Sequence, residues 1–309
     1  MSFNVGNKSV QKEFKRFIGV ASVEVLTFNP TQEELAKLYN TDSVREPVYI
    51  DKTSEGVERV KLVFYLQPNK LMHKEASTMI LPVTFTITNQ FVVGRNSGKH
   101  QVIDSYGRTG WVTKEQLDNH EIPTEYQKYK LLEDDYRPTY VGEENLTKFI
   151  KAYANIPNLT KTDFETKEVS YIENPNDAKA RFSNLPSLFK GDFTEISGLL
   201  SVTKGYLVKV AVGVRTTEEN KLYQDVFNRA FIKNAASSYK LLEREIKNAQ
   251  DNGAFSSTEF KVLPLHEYKV EQTLTSEISE IAKVENKLLG DDYDDLPMFF
   301  SDFNDNTDM

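Results

Sequence analysis

Basic and aromatic side chains alternate in several stretches of this sequence, and that spacing places them on one face of a β-strand. In residues 57–66, VERVKLVFYL, the face opposite the apolar side chains carries Arg59, Lys61 and Tyr65. Cations that follow phosphates and aromatic rings that stack on bases are the chemistry of single-strand nucleic-acid binding. This stretch is therefore a candidate binding strand.

Two further stretches, joined by the turn-like TEENK, extend the pattern. Along residues 205–216 a row of valines alternates with Lys209 and Arg215. Residues 222–233 are predicted to form the hairpin partner, with one side carrying Phe227, Arg229, Phe231 and Lys233. The competing interpretation buries both phenylalanines and turns Asn228 and Ala230 to water. It is favoured for this strand taken alone, because most strand phenylalanines are buried.

Glycine-containing loops supply a second type of candidate. The segment VIDSYGRTGWVTK carries Tyr106, Arg108 and Trp111, the single tryptophan of the chain. Glycine allows the backbone to approach a ligand, arginine can pair with phosphate, and the indole can stack on a base. The alternative is that Trp111 fills the core while Arg108 is solvated. The preceding turn GRNSGK adds Arg95 and Lys99.

The segment DDYRPTY offers Tyr136 and Arg137 for binding, although a packed proline turn explains these residues somewhat better. Its neighbouring acids Asp134 and Asp135 could hold magnesium in a nuclease, since hard cations prefer carboxylate oxygens. Two adjacent acids without a matching third carboxylate are more typical of a solvated loop. A nuclease is therefore the least favoured hypothesis.

Signatures of catalysis and of bound cofactors are missing from the sequence. It has no G-x-x-x-x-G-K-[ST] phosphate loop, no G-x-G-x-x-G, no G-x-S-x-G elbow and no H-E-x-x-H helix. The chain has no cysteine, and its four histidines are not at ligand spacing from one another. We therefore expect no enzymatic activity, no metal and no cofactor.

The beginning of the chain is locally basic. The stretch NKSVQKEFKRF sets four cations against the single acid Glu13, and these cations are Lys8, Lys12, Lys15 and Arg16. We expect residues 1–18 to form an arm that contacts a phosphate backbone or the acidic surface of a neighbouring molecule. A solvated helix face is an equally good interpretation.

The last twenty residues, GDDYDDLPMFFSDFNDNTDM, are locally acidic. They contain seven aspartates and no lysine or arginine, whereas residues 1–289 carry 39 acidic and 38 basic side chains. Such a composition predicts disorder, and we expect residues 286–309 to be a tail that docks a partner. The docking residues are expected to be Asp291, Asp292, Asp294, Asp295, Leu296, Pro297, Phe299 and Phe300. A tail that only solubilises the protein would explain the aspartates but not the phenylalanines.

The elements that must position these residues read as short strands with inserted helices. Period-2 patterns predict strands at 17–28, 46–50, 57–66, 79–88, 90–95, 99–105, 205–216 and 222–233. Helices are predicted at 29–40, where Thr31 and Glu34 form a capping box, and at 143–156 and 237–253. The fold class is predicted to be α+β and β-rich, with an OB-like β-barrel core at residues 19–285. A β-sandwich with helices would give a similar pattern.

Composition sets the broad class. With 309 residues, 39% of them hydrophobic and 27% charged, the chain can bury a sizeable core. No apolar run approaches the roughly 18 residues that a membrane span needs, and the N-terminal residues lack an apolar signal segment. We expect a cytoplasmic protein with no membrane partner.

Several longer phrases resemble the single-stranded DNA-binding proteins of tailed bacteriophages, in particular those of crAss-like phages. They are NVGNKSVQKEFKRFIGVASVEVL, NPTQEELAKLY, QVIDSYGRTGWVTKEQ, YRPTYVGEENLTKFIKAYANIP, VKVAVGVRTTEENKLYQDVF and FIKNAASSYKLLE. The tail likewise resembles the partner-docking peptide of such proteins, although nine residues follow Phe300 here. One departure concerns the zinc site of the T-even phage helix-destabilising protein, whose Cys/His ligands this cysteine-free chain cannot provide.

The resemblance implies an OB-type barrel that coats single-stranded DNA in the host cytoplasm during phage replication, recombination and repair. It also implies that the arm mediates self-association on DNA and that the tail recruits a polymerase, primase or helicase. A virion structural or cargo protein whose tail docks a partner is the alternative, because a body this close to neutral is unusual for a protein that coats DNA.

Deletion of residues 290–309 is expected to strengthen binding to oligothymidine and to abolish contact with the replication partner. The reason is that the aspartates compete with phosphate for the same cations. Fluorescence titration of both forms of the protein measures the first effect, and co-purification measures the second. If the deletion changed neither the affinity for oligothymidine nor the co-purification, the tail would serve only to solubilise the protein.

Overall fold

The computed structural model describes residues 16–42, 44–73, 78–154, 160–162, 169–171, 185–216, 222–236, 238–253, 258–259 and 269–271. The strands are β1 Arg16–Phe28, β2 Ile50–Lys52, β3 Glu58–Pro68, β4 Leu81–Phe91, β5 His100–Ile103, β6 Thr109–Val112, β7 Arg137–Pro138, β8 Tyr140–Val141, β9 Thr160–Thr162, β10 Val169–Tyr171, β11 Val208–Thr216, β12 Leu222–Val226, β13 Ile232–Lys233, β14 Thr258–Glu259 and β15 Lys269–Glu271. The helices are α1 Gln32–Tyr39, α2 Lys114–Asp118, α3 Thr124–Tyr129, α4 Glu143–Tyr153, α5 Leu185–Leu188, α6 Thr194–Val202 and α7 Lys240–Asp251.

A large antiparallel sheet with the strand order β12-β11-β1-β3-β4-β8 forms the centre of the protein. Shorter strands extend it, since β2 pairs with β3, β13 and β14 pair with β11, and β15 pairs with β1. The predicted alternation in β3 is confirmed, because Val60, Leu62, Phe64 and Leu66 are all fully buried on one face. Each faces a buried partner on β4, as in the pair Leu62 and Phe85.

This sheet curls into a half-barrel. Strands β12 and β4 are separated by three strands in the sheet order, yet they contact each other. Asn228, just beyond β12, donates a side-chain hydrogen bond of 3.1 Å to the carbonyl oxygen of Thr84 on β4. The α+β, strand-rich class is therefore confirmed, and the finer assignment to an OB-type barrel stays a prediction.

Helix α4 fills the concave side of the half-barrel. Its buried apolar side chains are Leu146, Phe149, Ile150, Ala152 and Tyr153. The ring of Phe149 lies 4.9 Å from that of Phe64, 5.3 Å from that of Phe85 and 5.1 Å from that of Phe231. Residues of β3, of β4 and of the segment between β12 and β13 therefore meet on one helical side chain.

Glycine is required where α4 begins. Gly142 has a φ of 89° and precedes the first helical residue. A Cβ at this position would collide with the carbonyl oxygen of Thr86 on β4. The tight left-handed turn thus sets the helix directly against the sheet, and other residues would be both strained and in collision there.

The opposite side of the sheet is covered unevenly. Helix α7 packs Leu242, Ile246 and Ala249 against a second core that includes Ala211 of β11 and Val20 of β1. Helix α1 lies over the outer face of β3 at Tyr65, whose ring centroid is 6.2 Å from that of Tyr39. The same face of β3 and β4 carries the partly exposed side chains of residues 59, 61 and 63 and of residues 84, 86 and 88.

A smaller sheet, β6-β5-β7, is an excursion from the large one. The chain leaves β4 at Phe91 and returns in β8 at Tyr140, and these two residues are paired in the large sheet. The excursion has a core of its own, made of Val102, Val112, Leu132 and Tyr136. Strands β9 and β10 form a separate hairpin.

Most predicted elements are found, with shifted ends. The capping box of α1 is confirmed, since Thr31 and Glu34 exchange side-chain hydrogen bonds with each other's backbone amides. The strand predicted at 46–50 is wrong, because pairing with β3 begins only at Ile50. The strand predicted at 90–95 is also wrong, because β4 runs to Phe91 and only Val93 forms an isolated bridge beyond it. Among the described residues, no helix is long and apolar enough to cross a membrane.

Replacing Phe149 with alanine is expected to lower the free energy of unfolding by about 3–5 kcal/mol, because it empties the centre of the half-barrel. Urea denaturation followed by circular dichroism measures the change. Phe91→Ala is the matched control, since Phe91 is 45% exposed, and we expect a loss of about 1 kcal/mol or less. Equal losses for the two variants would contradict the central role of Phe149.

Candidate functional site

The outer face of β3 brings together three of the predicted binding residues, Arg59, Lys61 and Tyr65. Pairing with β2 places Asp51 directly beside Arg59. Its carboxylate accepts hydrogen bonds from Arg59 Nε at 2.6 Å and from Lys61 Nζ at 2.7 Å. Two cations thus share one carboxylate, and both remain about one-third exposed.

Two tyrosines that the sequence analysis did not select complete this surface. Tyr39, the last residue of α1, stands edge-on over Tyr65 with the ring centroids 6.2 Å apart. Tyr49 lies beside Lys61, whose backbone amide donates a 2.7 Å hydrogen bond to the Tyr49 carbonyl oxygen. We call Arg59, Lys61, Tyr65, Tyr39 and Tyr49 together the outer β3 surface.

The local sequence explains how these tyrosines are held. Tyr39 follows Leu35, the buried residue of α1, by one helical turn, so both point to the sheet side of the helix. The Tyr49 hydroxyl donates a 2.6 Å hydrogen bond to the carbonyl oxygen of Pro30. Tyr39 covers Tyr65, which is only 9% exposed, and itself remains 45% exposed. Tyr39 is therefore the accessible ring of the surface.

The hydroxyl groups of these rings stay protonated at neutral pH. Burial, and then the proximity of Tyr65, raises the pKa of Tyr39 to about 12. The same two causes, together with the nearby Glu34, raise the pKa of Tyr49. Hydrogen bonds from Arg59 and Lys61 lower the pKa of Asp51, so that it stays ionised. At neutral pH the five residues of the surface and Asp51 therefore sum to one positive charge.

Arg108 is engaged inside its own loop. Its Nε donates a 2.6 Å hydrogen bond to Asp104, and its guanidinium also reaches Glu133 and the carbonyl oxygen of Lys130. Asp104 is fully buried and also accepts hydrogen bonds from the backbone amides of Tyr106, Arg108 and Glu133. Burial raises the pKa of Asp104, and these hydrogen bonds and the charge of Arg108 oppose that rise. Arg108 is therefore not solvated and stabilises the loop, while its contact with phosphate stays a prediction.

Tyr136 and Arg137 are also structural. Tyr136 is 1% exposed, and its hydroxyl lies 3.0 and 2.9 Å from the carbonyl oxygens of Gln116 and Glu121. Arg137 forms a two-pronged ion pair with the buried carboxylate of Glu143. The functional groups of both side chains have partners within the protein, and their contact with a ligand stays a prediction.

The prediction for residues 222–233 is wrong in one respect. The chain leaves the ladder after Val226 and pairs again only at Ile232. Phe231 therefore packs in the core of the half-barrel, whereas Phe227 packs under α7 on the other side of the sheet. The competing interpretation, that both are core residues, is correct, although Ala230 is buried as well.

The cations near these strands have mixed environments. Lys209 donates a hydrogen bond of 2.5 Å to the carbonyl oxygen of Ala236 and lies over the ring of Tyr239. Burial lowers the pKa of Lys209 and of Lys233. Arg229 is exposed. Arg215 lies in β11, opposite Tyr223 of β12.

Trp111 lies in β6, opposite Gln101 of β5. Its partly exposed ring lies against Gly94, in the turn that also carries Arg95 and Lys99. Arg95 is exposed, and Tyr106 is partly exposed with the Arg108 guanidinium 5.2 Å from its ring centroid. This turn is a second, smaller group of accessible candidates, at the other end of β4 from Tyr65.

The remaining candidates fall outside the described residues. These are Lys8, Lys12 and Lys15 of the arm and all the docking residues of the tail; Arg16 is described only as the first residue of β1. Asp135 accepts a hydrogen bond from the backbone amide of Ser105, which gives it a structural role. Within the described ranges, no group of three or more His, Cys, Asp or Glu residues could hold a metal ion.

Arg108→Ala is expected to lower the free energy of unfolding by about 3–5 kcal/mol, because it leaves the buried Asp104 carboxylate without its charged partner. Thermal or urea unfolding measures this loss. Lys114→Ala is the matched control, since it removes an ion pair with Asp118 in which both side chains are more than half exposed. We expect the control to lose less than about 1 kcal/mol. Similar losses would show that Arg108 is not a structural residue.

Comparison with known proteins gives no relative for this chain. No protein-family model matches it, and neither a curated protein nor a solved structure is detectably similar to it. Membership in a family is therefore not shown, and function has to be inferred from the side chains described above.

Proposed function

We propose that this protein binds single-stranded DNA with little sequence preference and without catalysing a reaction, and that the outer β3 surface is its contact. The observation that carries the proposal is that two partly exposed cations of β3 lie on the same face of the sheet as the exposed Tyr39 ring of α1. Sequence-independent single-strand binding needs this combination of charge along the backbone and rings beneath the bases.

Electrostatics supports phosphate contact at one end of the surface. Arg59 and Lys61 share the single carboxylate of Asp51, so these three side chains together carry one net positive charge. Both side chains are held in position by their hydrogen bonds to Asp51. Fixing these long side chains before binding reduces the conformational entropy lost when they meet a phosphate.

Aromatic geometry supports base contact at the other end. Tyr39 presents an exposed ring whose orientation is held by its contact with the Tyr65 ring. Little conformational entropy of the side chain is therefore lost when a base stacks on it. A base stacked on a tyrosine contributes roughly 1–3 kcal/mol and requires no particular base identity. The ring is neutral at physiological pH, so it does not repel the neighbouring phosphates.

The adjoining strand β4 leaves room for an extended ligand. Its outer side chains beside Arg59, Lys61 and Val63 are Thr88, Thr86 and Thr84. These are small and polar, and Thr86 is exposed. A flexible single strand can therefore cross from β3 to β4 without meeting a bulky side chain.

A role in phage replication, recombination and repair follows only from the resemblance noted in the sequence, and it is part of this proposal. The near-neutral body is consistent with moderate affinity that depends on a local patch. The alternative of a virion structural protein predicts no affinity for DNA at all, so one titration separates the two hypotheses.

The first test is a titration of labelled oligothymidine with the intact protein at several salt concentrations, followed by anisotropy. Lys61→Ala is expected to reduce the magnitude of the slope of log K against log salt by about the amount that corresponds to the loss of one phosphate contact. Tyr39→Ala is expected to weaken binding about 5- to 150-fold at every salt concentration, the range for one lost stacked base. Tyr39→Phe, which keeps the ring, is expected to bind like the wild type.

Lys247→Ala is the matched charge control, because Lys247 is an exposed lysine of α7, the helix that packs against Ala211 of β11 and Val20 of β1. It is expected to leave both affinity and salt slope unchanged. If the two lysine variants changed binding equally, the DNA contact would not lie on the outer β3 surface. Failure of the wild-type protein to bind at any salt concentration would favour the structural role.

A further inference from the structure

The turn that follows β3 presents two apolar side chains to solvent. Leu71 is 95% exposed and Met72 is 54% exposed. Lys70, which precedes them, is also exposed. Exposing a complete leucine side chain gives up the favourable free energy of burial, roughly 1.5–3 kcal/mol. We call residues 69–73 the β3 tip.

The backbone of the β3 tip is held firmly. The Asn69 side-chain oxygen accepts hydrogen bonds from the amides of Leu71 and Met72, at 3.0 and 3.3 Å. The amide of His73 donates a 2.8 Å hydrogen bond to the carbonyl oxygen of Asn69. A closed turn of this kind fixes the backbone on either side of Leu71 and Met72.

Both ends of the tip are attached to the same residue of β1. The Asn69 amide donates to the carbonyl oxygen of Ser22 at 2.9 Å. The amide of Ser22 donates to Nε2 of His73, also at 2.9 Å. Because Ser22 lies within the large sheet, opposite Lys209 of β11, the tip is anchored to the most regular part of the protein.

The tip continues the line of the outer β3 surface. Arg59, Lys61 and Tyr65 succeed one another along β3, which ends at Pro68, one residue before the tip. With a rise of about 3.3 Å per residue, a ligand that follows the strand meets cations first, then the Tyr39 and Tyr65 pair, and then the apolar tip. This order suits a nucleic-acid strand whose bases are already partly unstacked when they reach Leu71.

We propose that the β3 tip is a base wedge, in which Leu71 and Met72 insert between neighbouring bases while Lys70 faces the phosphate beside them. This inference rests on the proposed function and specifies how the surface deforms its ligand. Apolar side chains inserted between base steps are an established means of unstacking nucleic acids. Held in place by Ser22 and Asn69, the wedge needs little further ordering when it binds.

The size of the tip favours a base step over a protein or lipid partner. A specific protein interface buries about 1,000 Å² or more, which far exceeds what two side chains supply. Stable attachment to a membrane needs a larger apolar area or a second anchoring signal. One aliphatic side chain fills the gap of a single opened base step.

The test uses the full chain and a single-stranded oligonucleotide that contains 2-aminopurine, whose fluorescence rises when the base is unstacked. The wild-type protein is expected to raise the fluorescence. A double variant, Leu71→Ser with Met72→Ser, is expected to remove most of that rise and to weaken binding about 5-fold or more, as for a lost base contact. Val202→Ser, at another highly exposed apolar residue, is the control and is expected to behave like the wild type.

The outcomes separate this inference from the proposed function. If the wild-type protein binds no oligonucleotide, both are overturned. If the wild type and the double variant bind alike and give the same fluorescence, the wedge is overturned while the DNA-binding surface stands. If the wild-type protein floats with phosphatidylserine vesicles and the double variant does not, the tip binds lipid and the wedge is overturned. Because Leu71 is almost fully exposed, the thermal unfolding of the variants is expected to match the wild type.

Discussion

The packing of α4 into the curled sheet is the interaction on which the rest of the structure depends. An antiparallel sheet that curls must fill its concave side, and Phe149 does so by meeting Phe64, Phe85 and Phe231 at once. Because these rings come from β3, from β4 and from the segment after β12, one helical side chain joins both ends of the curl. Arg59 and Lys61 on the outer face of β3 can then remain about one-third exposed, because the core around Phe149 lies on the other face of the strand.

Charged side chains in this protein divide into two groups. Arg108 and Arg137 each pair with a fully buried carboxylate and stabilise the connections of the smaller sheet. Arg59 and Lys61 instead share a carboxylate that is itself partly exposed, and they remain accessible. Removing Arg108 or Arg137 would leave a buried carboxylate without its partner, which costs much stability. Arg59 and Lys61 can exchange Asp51 for another anion with little loss of stability. Whether an arginine or lysine is available for binding therefore depends on how deeply its partner carboxylate is buried. It does not depend on whether the residue lies in a basic stretch of the sequence.

Local patterns predicted the parts of the fold that depend on local physics. The alternation of β3 and the capping box of α1 follow from neighbours within a few residues, and both are found. The break between Val226 and Ile232 depends on long-range pairing, which a period-2 pattern cannot reveal. Because of this break, Phe227 and Phe231 lie on opposite sides of the sheet, whereas the pattern predicts one shared side. Glu133 lies far from Arg108 in sequence, and its contact could not be predicted. Tyr39 could have been selected, because it stands one turn after Leu35 on an amphipathic helix.

The pairing of Phe91 with Tyr140 has a consequence for chain entropy as well as for the architecture. Residues 92–139 leave and re-enter the large sheet at paired positions, so the half-barrel already holds the two ends of the excursion together. Because the ends already lie side by side, a longer or shorter excursion changes the closure entropy only slightly. The excursion can therefore change the length of its turns at little cost, whereas its end is constrained because Arg137 pairs with the buried Glu143 that begins α4.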